Sequence, residues 1–415
     1  MCLKIFQSCR ILRMHRLNPM KTIKNPIDIS IKGVETSSSS LDKVCATTPK
    51  MVHRAYTFKI KTDKNFENKF NQWIGICRFL YNCALECKIT AYKTQGKTLT
   101  NYDLQKQLTV AKKEILWLKT VNSQTLQTVL DRLEIAFHRF YNNIGYGYPK
   151  YASKKKWKSI SFKTIRFKNN QFILPTWGVI KLFKNRLPKG ELKIARIVKE
   201  ADGYYLHVIS KELYQNINEN QVGIDIGVNN LAVTSNNEFV ANPKINKKYE
   251  RKLRIENRSL SRKERFSNSW FKQLKRVQLI YLKIKRARKD YLHKETTKLC
   301  RNYGYFYLED IKILGVVANS NLSKHIFDCG WGYFKTYLSY KGNVVLVDPK
   351  YTSQTCSNCG HCEKGNRVSQ SNFQCKICGH SENADFNASK NILGKGIALM
   401  RQRKGSYPMR SISNL

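Results

Sequence analysis

Two Cys-x2-Cys knuckles lie close together toward the C-terminal end of the chain, Cys356 with Cys359 and Cys375 with Cys378. Four thiolates paired this way make the tetrahedral shell that structural zinc prefers, and the glycine after each knuckle, Gly360 or Gly379, allows the tight turn. The segment is loop-rich and lacks a core of its own, so residues 353–380 are expected to be a ribbon stapled by Zn2+. His361, Cys362 and His380 are spare ligand types. Cys362 stands in Cys-x2-Cys register with Cys359, which leaves ligand exchange open; the simpler assignment leaves it as a bystander. Five of the thirteen cysteines fall between Cys356 and Cys378 and the other eight are scattered. An odd, clustered set points to metal binding in a reducing compartment, not to a disulfide framework.

Charge narrows the partner. Against 29 Asp and Glu stand 75 Lys and Arg, a formal net charge of +46. Such a surplus calls for a polyanion, and nucleic acid is the usual one. An acidic membrane surface is the rival, but no run of about 18 apolar residues is present to span a bilayer. With 41% hydrophobic and 11% aromatic residues the chain is too apolar to be mostly disordered. Its 415 residues correspond to about three domains. Arg10 and Arg13 interrupt the N-terminus before a signal-peptide core could form, so the cytoplasm, with association to the nucleoid, is the expected location.

Periodicity divides the chain. Residues 1–50 show no apolar pattern and are expected to be a disordered extension, with Met51 as the functional start. The alternation of MVHRAYTFKIK predicts a strand, and from 65 to 146 the apolar residues recur at helical spacing. Its aromatic stripe, which includes Phe66, Phe70 and Trp73, is expected to be core. Residues 51–64 and 147–216 read as a small β-barrel with a basic face, since Lys150 to Lys199 holds fifteen Lys and Arg and one acid, Glu191. Lys244 to Lys294 holds nineteen Lys and Arg against four acids and predicts a long basic helix or helix pair. The tail 396–415 is expected to be disordered.

Three carboxylates stand out. Asp225 lies in VGIDIGVNNLAV, on the strand face opposite Val222, Ile224 and Ile226, and a carboxylate in such an apolar strand is costly unless it serves a site. Glu309 ends YFYLED, with the adjacent Asp310 as a competitor. Asp385 opens ADFNASKNIL, a helical pattern directly after the ribbon. Two strands and a helix delivering acids are what a two-metal phosphodiesterase needs, with Mg2+ ions about 4 Å apart activating water and stabilising the leaving oxygen.

Together the blocks RAYTFKIK, IGICRFLYNCAL, GIDIGVNNLAV, LEDIKI, DCGWGYF, VDPKYTSQTCSNCG and CKICGHSENADFNASKNI resemble the transposon-encoded TnpB (OrfB) family, relatives of the type V CRISPR effectors. The resemblance covers residues 51–393. It implies a multidomain α+β protein: an RNase H-like (RuvC) α/β domain over 217–352 and 381–395, interrupted by the zinc ribbon, with a wedge-type β-barrel and a helical recognition domain before it. It also implies an RNA-guided DNA endonuclease that takes its guide RNA from the transposon end, with target DNA as the second partner and Asp225, Glu309 and Asp385 as the Mg2+-binding catalytic triad. The rivals are an RNA-guided DNA binder that does not cut and a strand-transfer transposase. Two departures from the family pattern stand out. The connection between Tyr340 and Asn343 is about one helical turn short, which is expected to rotate the strand against the helix and disturb the core. Asn383 stands where relatives carry a charged residue.

Overall fold

The computed structural model describes residues 51–142, 146–183, 187–214, 218–318 and 323–405; the expected N-terminal extension and the last ten residues lie outside them. The chain divides into two compact units, with the boundary between Leu213 and Tyr214.

The first unit begins with β1 (Met51–Lys59), followed by helices α1 (Lys64–Gln95), α2 (Asn101–Glu114) and α3 (Ser123–Tyr141). Local chemistry sets each helix start. Asp63 accepts the Phe66 amide at 2.6 Å, Thr100 and Asp103 form a capping box, and Asn122 accepts the amides of Gln124 and Thr125. Strands β2 (Ser159–Phe162), β3 (Arg166–Lys168), β4 (Gln171–Leu174), β5 (Gly178–Ile180), β6 (Glu191–Glu200) and β7 (Gly203–Leu213) follow. They make a four-stranded sheet of order β1-β7-β6-β2 and a three-stranded sheet β3-β4-β5. Register aligns the buried side chains: Leu206 lies opposite both Phe58 and Ile197. The aromatic stripe is core, with Phe70 and Trp73 buried against Tyr204 and Trp177 respectively. Helices and strands here share one continuous hydrophobic cluster.

The second unit is built on β8 (Gln221–Asp225), β9 (Asn230–Thr234), β10 (Phe239–Ala241), β11 (Tyr305–Glu309) and β12 (Asn343–Val347), in the order β10-β9-β8-β11-β12. β8 and β12 run parallel to β11, while β9 is antiparallel to β8. The expected basic segment is a helix pair, α4 (Ile245–Ser261) and α5 (Asn268–Asn302), and α6 (Ile313–Ala318), α7 (Ser323–Cys329) and α8 (Trp331–Lys341) precede β12. The ribbon hairpin, β13 (Asn372–Gln374) and β14 (Ser381–Asn383), leads into α9 (Ala384–Gly405). Successive side chains of a strand point to opposite faces. Val222, Ile224, Phe306 and Leu308 join Leu292, Leu299, Phe334 and Leu338 of α5 and α8 in one cluster. Tyr307, Val345 and Val347 join Ile392 of α9 in another.

Two expectations change. The segment from Gly396 is not disordered through its first ten residues, because α9 continues to Gly405. Ile397, Leu399 and Met400 pack against the Tyr307 and Val345 cluster, and that burial outweighs the weak helix propensity of Gly394 and Gly396. The short connection after Tyr340 does not displace its strand. Gly342 closes α8 through its amide to Leu338 O at 2.7 Å, Asn343 N donates to Gly304 O at 2.8 Å, and β12 keeps unbroken parallel register with β11 from Tyr305↔Asn343 to Glu309↔Val347.

Candidate active site and metal centre

The cysteine quartet forms from two matching turns. Cys356 N–H donates to His361 O at 2.9 Å and Cys375 N–H to His380 O at 2.8 Å, while the Gly360 and Gly379 amides return to the carbonyls of Cys356 and Cys375. Both glycines have positive φ, 77° and 71°, which the turn requires and which a side chain would strain. The sulfur atoms of Cys356, Cys359, Cys375 and Cys378 all lie within 4.8 Å of one another. Four converging sulfur donors fit a soft or borderline divalent ion. Cys378, whose sulfur accepts the His380 amide, has its thiol lowered to about 6, and the Cys378 amide lowers Cys375; Cys359 is instead pushed up to about 12. A proton-sharing set of this kind releases its remaining protons to a cation. The spare ligand types stand outside the quartet. His361 Nε2 lies 3.2 Å from Glu363 and His380 Nε2 3.0 Å from Glu382, while the Cys362 thiol is exposed and its backbone forms an isolated β-bridge with Thr355.

The three carboxylates come together on the sheet face that α9 covers. Asp225 and Glu309 end neighbouring parallel strands, each one residue beyond the Leu308↔Ile224 pair. Asp385 lies in the first turn of α9. Close approach of that helix explains the glycine before Asp225: a Cβ on Gly223 would stand 2.1 Å from Ser389 O. Asn383, the departure from the family pattern, caps α9, its Oδ1 accepting the amides of Asp385 at 3.0 Å and Phe386 at 3.2 Å.

Burial and crowding govern the electrostatics. Loss of water pushes the Asp225 carboxyl up, Glu309 and Asp385 push it further, and it reaches about 8 although Arg367 opposes them. Glu309 is also raised by burial, against the Thr352 hydroxyl that donates to it and the charges of Lys395, Lys335 and Arg367. Asp310 instead points to solvent, 62% exposed, with Lys335 3.9 Å away. A hard divalent cation is the countercharge that would let crowded, half-buried oxygen donors ionise together, so the donor set fits Mg2+. Among the described residues the cysteines are the group of three or more such ligands that closes to within 4.8 Å, so the carboxylates span more than a single-ion shell.

Several site residues were not singled out from the sequence. Arg367, from the ribbon, places Nη2 3.3 Å from Asp385 Oδ1. Thr352 orients Glu309. Asn387, fully buried, accepts the Ser357 amide and donates to Thr355 O, and Asn391 donates to the carbonyls of Thr352 and Thr355. The only sequence signal was three asparagines, Asn383, Asn387 and Asn391, at helical spacing around Asp385.

Sequence profiles match three segments: OrfB_IS605, described as a probable transposase, over residues 204–320; a Cas12f1-like TNB domain over 331–392; and an OrfB helix-turn-helix domain over 51–97. In the last of these the structure has a strand followed by one long helix, β1 and α1. InsQ of Escherichia coli (strain K12), named as a candidate RNA-guided DNA endonuclease, is 31% identical over 379 residues, covering 84% of this chain and 93% of InsQ. A protein of Streptomyces pristinaespiralis with the same kind of name is 27% identical, covering 87% of this chain and 94% of that protein. The chain also superposes on Cas12f1 from a Cas12f1–sgRNA–target DNA complex, with a TM-score of 0.55 at 14% identity, over 82% of this chain and 98% of that one, a shared fold. No helix among the described residues is long and apolar enough to cross a membrane. With its motifs, its mixed α+β fold and a full-length relative at 31% identity, the chain belongs to the TnpB (OrfB-type) family.

Proposed function

We propose that this protein is an RNA-guided DNA endonuclease that cuts target DNA by metal-assisted phosphodiester hydrolysis. The observation that carries the proposal is the convergence of Asp225, Glu309 and Asp385, three half-buried acids from distant segments, close enough for Glu309 and Asp385 to raise Asp225. In this reading the β10-β9-β8-β11-β12 sheet with α9 is an RuvC-like domain, the quartet holds structural Zn2+, and the sheets of the first unit form a wedge-type barrel. The named activity of InsQ supports guidance by RNA, and the +46 charge supports binding of guide and target phosphates.

Asp225, Glu309 and Asp385 would hold Mg2+, which when bound supplies an activated water and stabilises the leaving oxygen. The chain's own groups prepare that chemistry. Burial, with Glu309 and Asp385 beside it, raises the Asp225 carboxyl to about 8, so Asp225 would gain most from a bound cation as countercharge. The Thr352 hydroxyl fixes the rotamer of Glu309, and Arg367 draws Asp385 toward the ribbon while offering positive charge beside the acids. Lys335 and Lys395 add cations near Glu309, where a phosphate would approach.

The test is cleavage of guide-matched plasmid by protein co-purified with its RNA. Asp225→Asn and Glu309→Gln are expected to lower cleavage at least about a thousandfold without loss of target binding, while Asp310→Asn leaves it within about twofold. A wild-type complex that binds target and never cuts would replace this reading with a pure binder. Products joined to a second DNA would favour strand transfer.

A further inference from the structure

The turn between α4 and α5 carries a feature that none of the site chemistry uses. Ser267 N–H donates to Glu264 O at 3.2 Å, closing a four-residue turn, and Ser267 Oγ accepts the Trp270 amide to cap α5. Phe266 occupies the third position of this turn with φ of 75°, a conformation that glycine or asparagine ordinarily fills. The chain holds a large aromatic where the backbone favours none, and the ring does not repay this by burial, since Phe266 is 51% exposed. Phe271 beside it is 49% exposed. Trp270 joins them, its ring 5.6 Å from Phe266 and 5.1 Å from Phe271. Arg265 stands over the Phe266 ring at 5.1 Å, and Arg262, Lys263 and Lys272 are exposed around it, against the single acid Glu264.

We propose that this hairpin tip is a stacking platform for an unpaired DNA strand. Exposed ring faces flanked by cations match the two surfaces of single-stranded nucleic acid, its bases and its phosphates. A duplex hides its base faces and leaves the rings nothing to stack on. A second copy of the same tip would set like charges against like. The inference rests on the proposed function for the choice of strand: there the guide bases pair with the target strand, and the displaced DNA strand is the one left unpaired.

The experiment measures binding of a fluorescent oligothymidine, an abasic oligonucleotide of equal length and an oligouridine to the full-length protein with its zinc retained, without added Mg2+ and across a salt series. Phe266→Gly suits its backbone position, and Phe271→Ala removes an exposed ring, so both variants are expected to keep the wild-type melting temperature. Each is expected to weaken oligothymidine binding about tenfold and to leave abasic binding unchanged, so the ratio of the two falls about tenfold. Arg265→Gln and Lys272→Gln are expected to leave that ratio alone and to lower the salt slope by about one each. An unchanged ratio in the ring variants overturns the proposal. A clearly greater loss for oligouridine than for oligothymidine overturns the assignment to DNA, and conversion of a dimer to monomer by Phe271→Ala would give the surface to a second copy instead. Because no cutting is measured, these outcomes are independent of whether Asp225→Asn abolishes cleavage.

Discussion

The cysteine quartet and the carboxylate trio are both clusters of metal-ligating groups, and they are assembled in opposite ways. The quartet draws its ligands from 23 consecutive residues, 356 to 378, through two similar turns whose backbone hydrogen bonds aim the sulfurs inward. The trio draws its ligands from residues 225, 309 and 385, and only the complete sheet with α9 laid on it brings them together. The quartet closes to a single-ion shell, whereas the carboxylates stay wider and share charge with Arg367. A group that holds shape needs tight, locally encoded geometry. One that does chemistry needs desolvated charge with room for a substrate, and tertiary packing supplies that.

If this contrast is right, damage to the two sites should differ in kind. The largest effect is expected from Cys375→Ser. Structural zinc contributes about 10–16 kcal/mol to small metal-folded domains, so the variant should lose its metal, unfold the ribbon and drop to background cleavage, as read by elemental analysis and a plasmid assay. A Cys375→Ser protein that cuts normally would break the comparison. Next comes pH. In protein free of Mg2+ the Asp225 carboxyl titrates near 8 when folded and near 3.8 when unfolded. The folded state therefore binds the extra proton, and its advantage is complete below about pH 3.8 and lost as pH rises toward 8, by at most about 1.4 kcal/mol per unit. Thermal melts from pH 5 to 8.5 of protein that keeps its zinc, without added Mg2+, should show this fall, and Asp225→Asn should flatten it; equal slopes would mean that burial and crowding do not set the site. The smallest effect is expected from Asn383→Ala, which removes the α9 cap at a cost of about 1 kcal/mol and should lower cleavage more than binding, since Asp385 is the residue the cap secures. A loss confined to binding would argue against that.

What could be read from the sequence follows the same division. The knuckles, the helical spacing of Phe70 and Trp73, and the alternation around Asp225 are local patterns, and local patterns survive into structure. The choice between Glu309 and Asp310 was open in the sequence, because both faces of the sheet are covered and adjacency does not say where the strand ends; in the structure Glu309 shares the α9 face with Tyr307, while Asp310 lies past the strand and is exposed. Arg367 and Thr352 carried no signal, since each matters only through a neighbour far along the chain. The end of α9 was not legible because a chain terminus is ordered only by what it docks on, and Gly396 lies close against the Tyr307 ring.

The helix α9 has a consequence for the timing of activity. Its first turn bears Asp385, its buried Asn387 and half-buried Asn391 tie down the start of the ribbon, and its later turns seal the sheet. During synthesis Asp225 and Glu309 emerge first, and the third acid arrives only behind the four thiols. On the proposed function, a chain whose ribbon has not yet closed holds Asp225 and Glu309 without Asp385 fixed beside them, so cutting would begin only once the ribbon has formed.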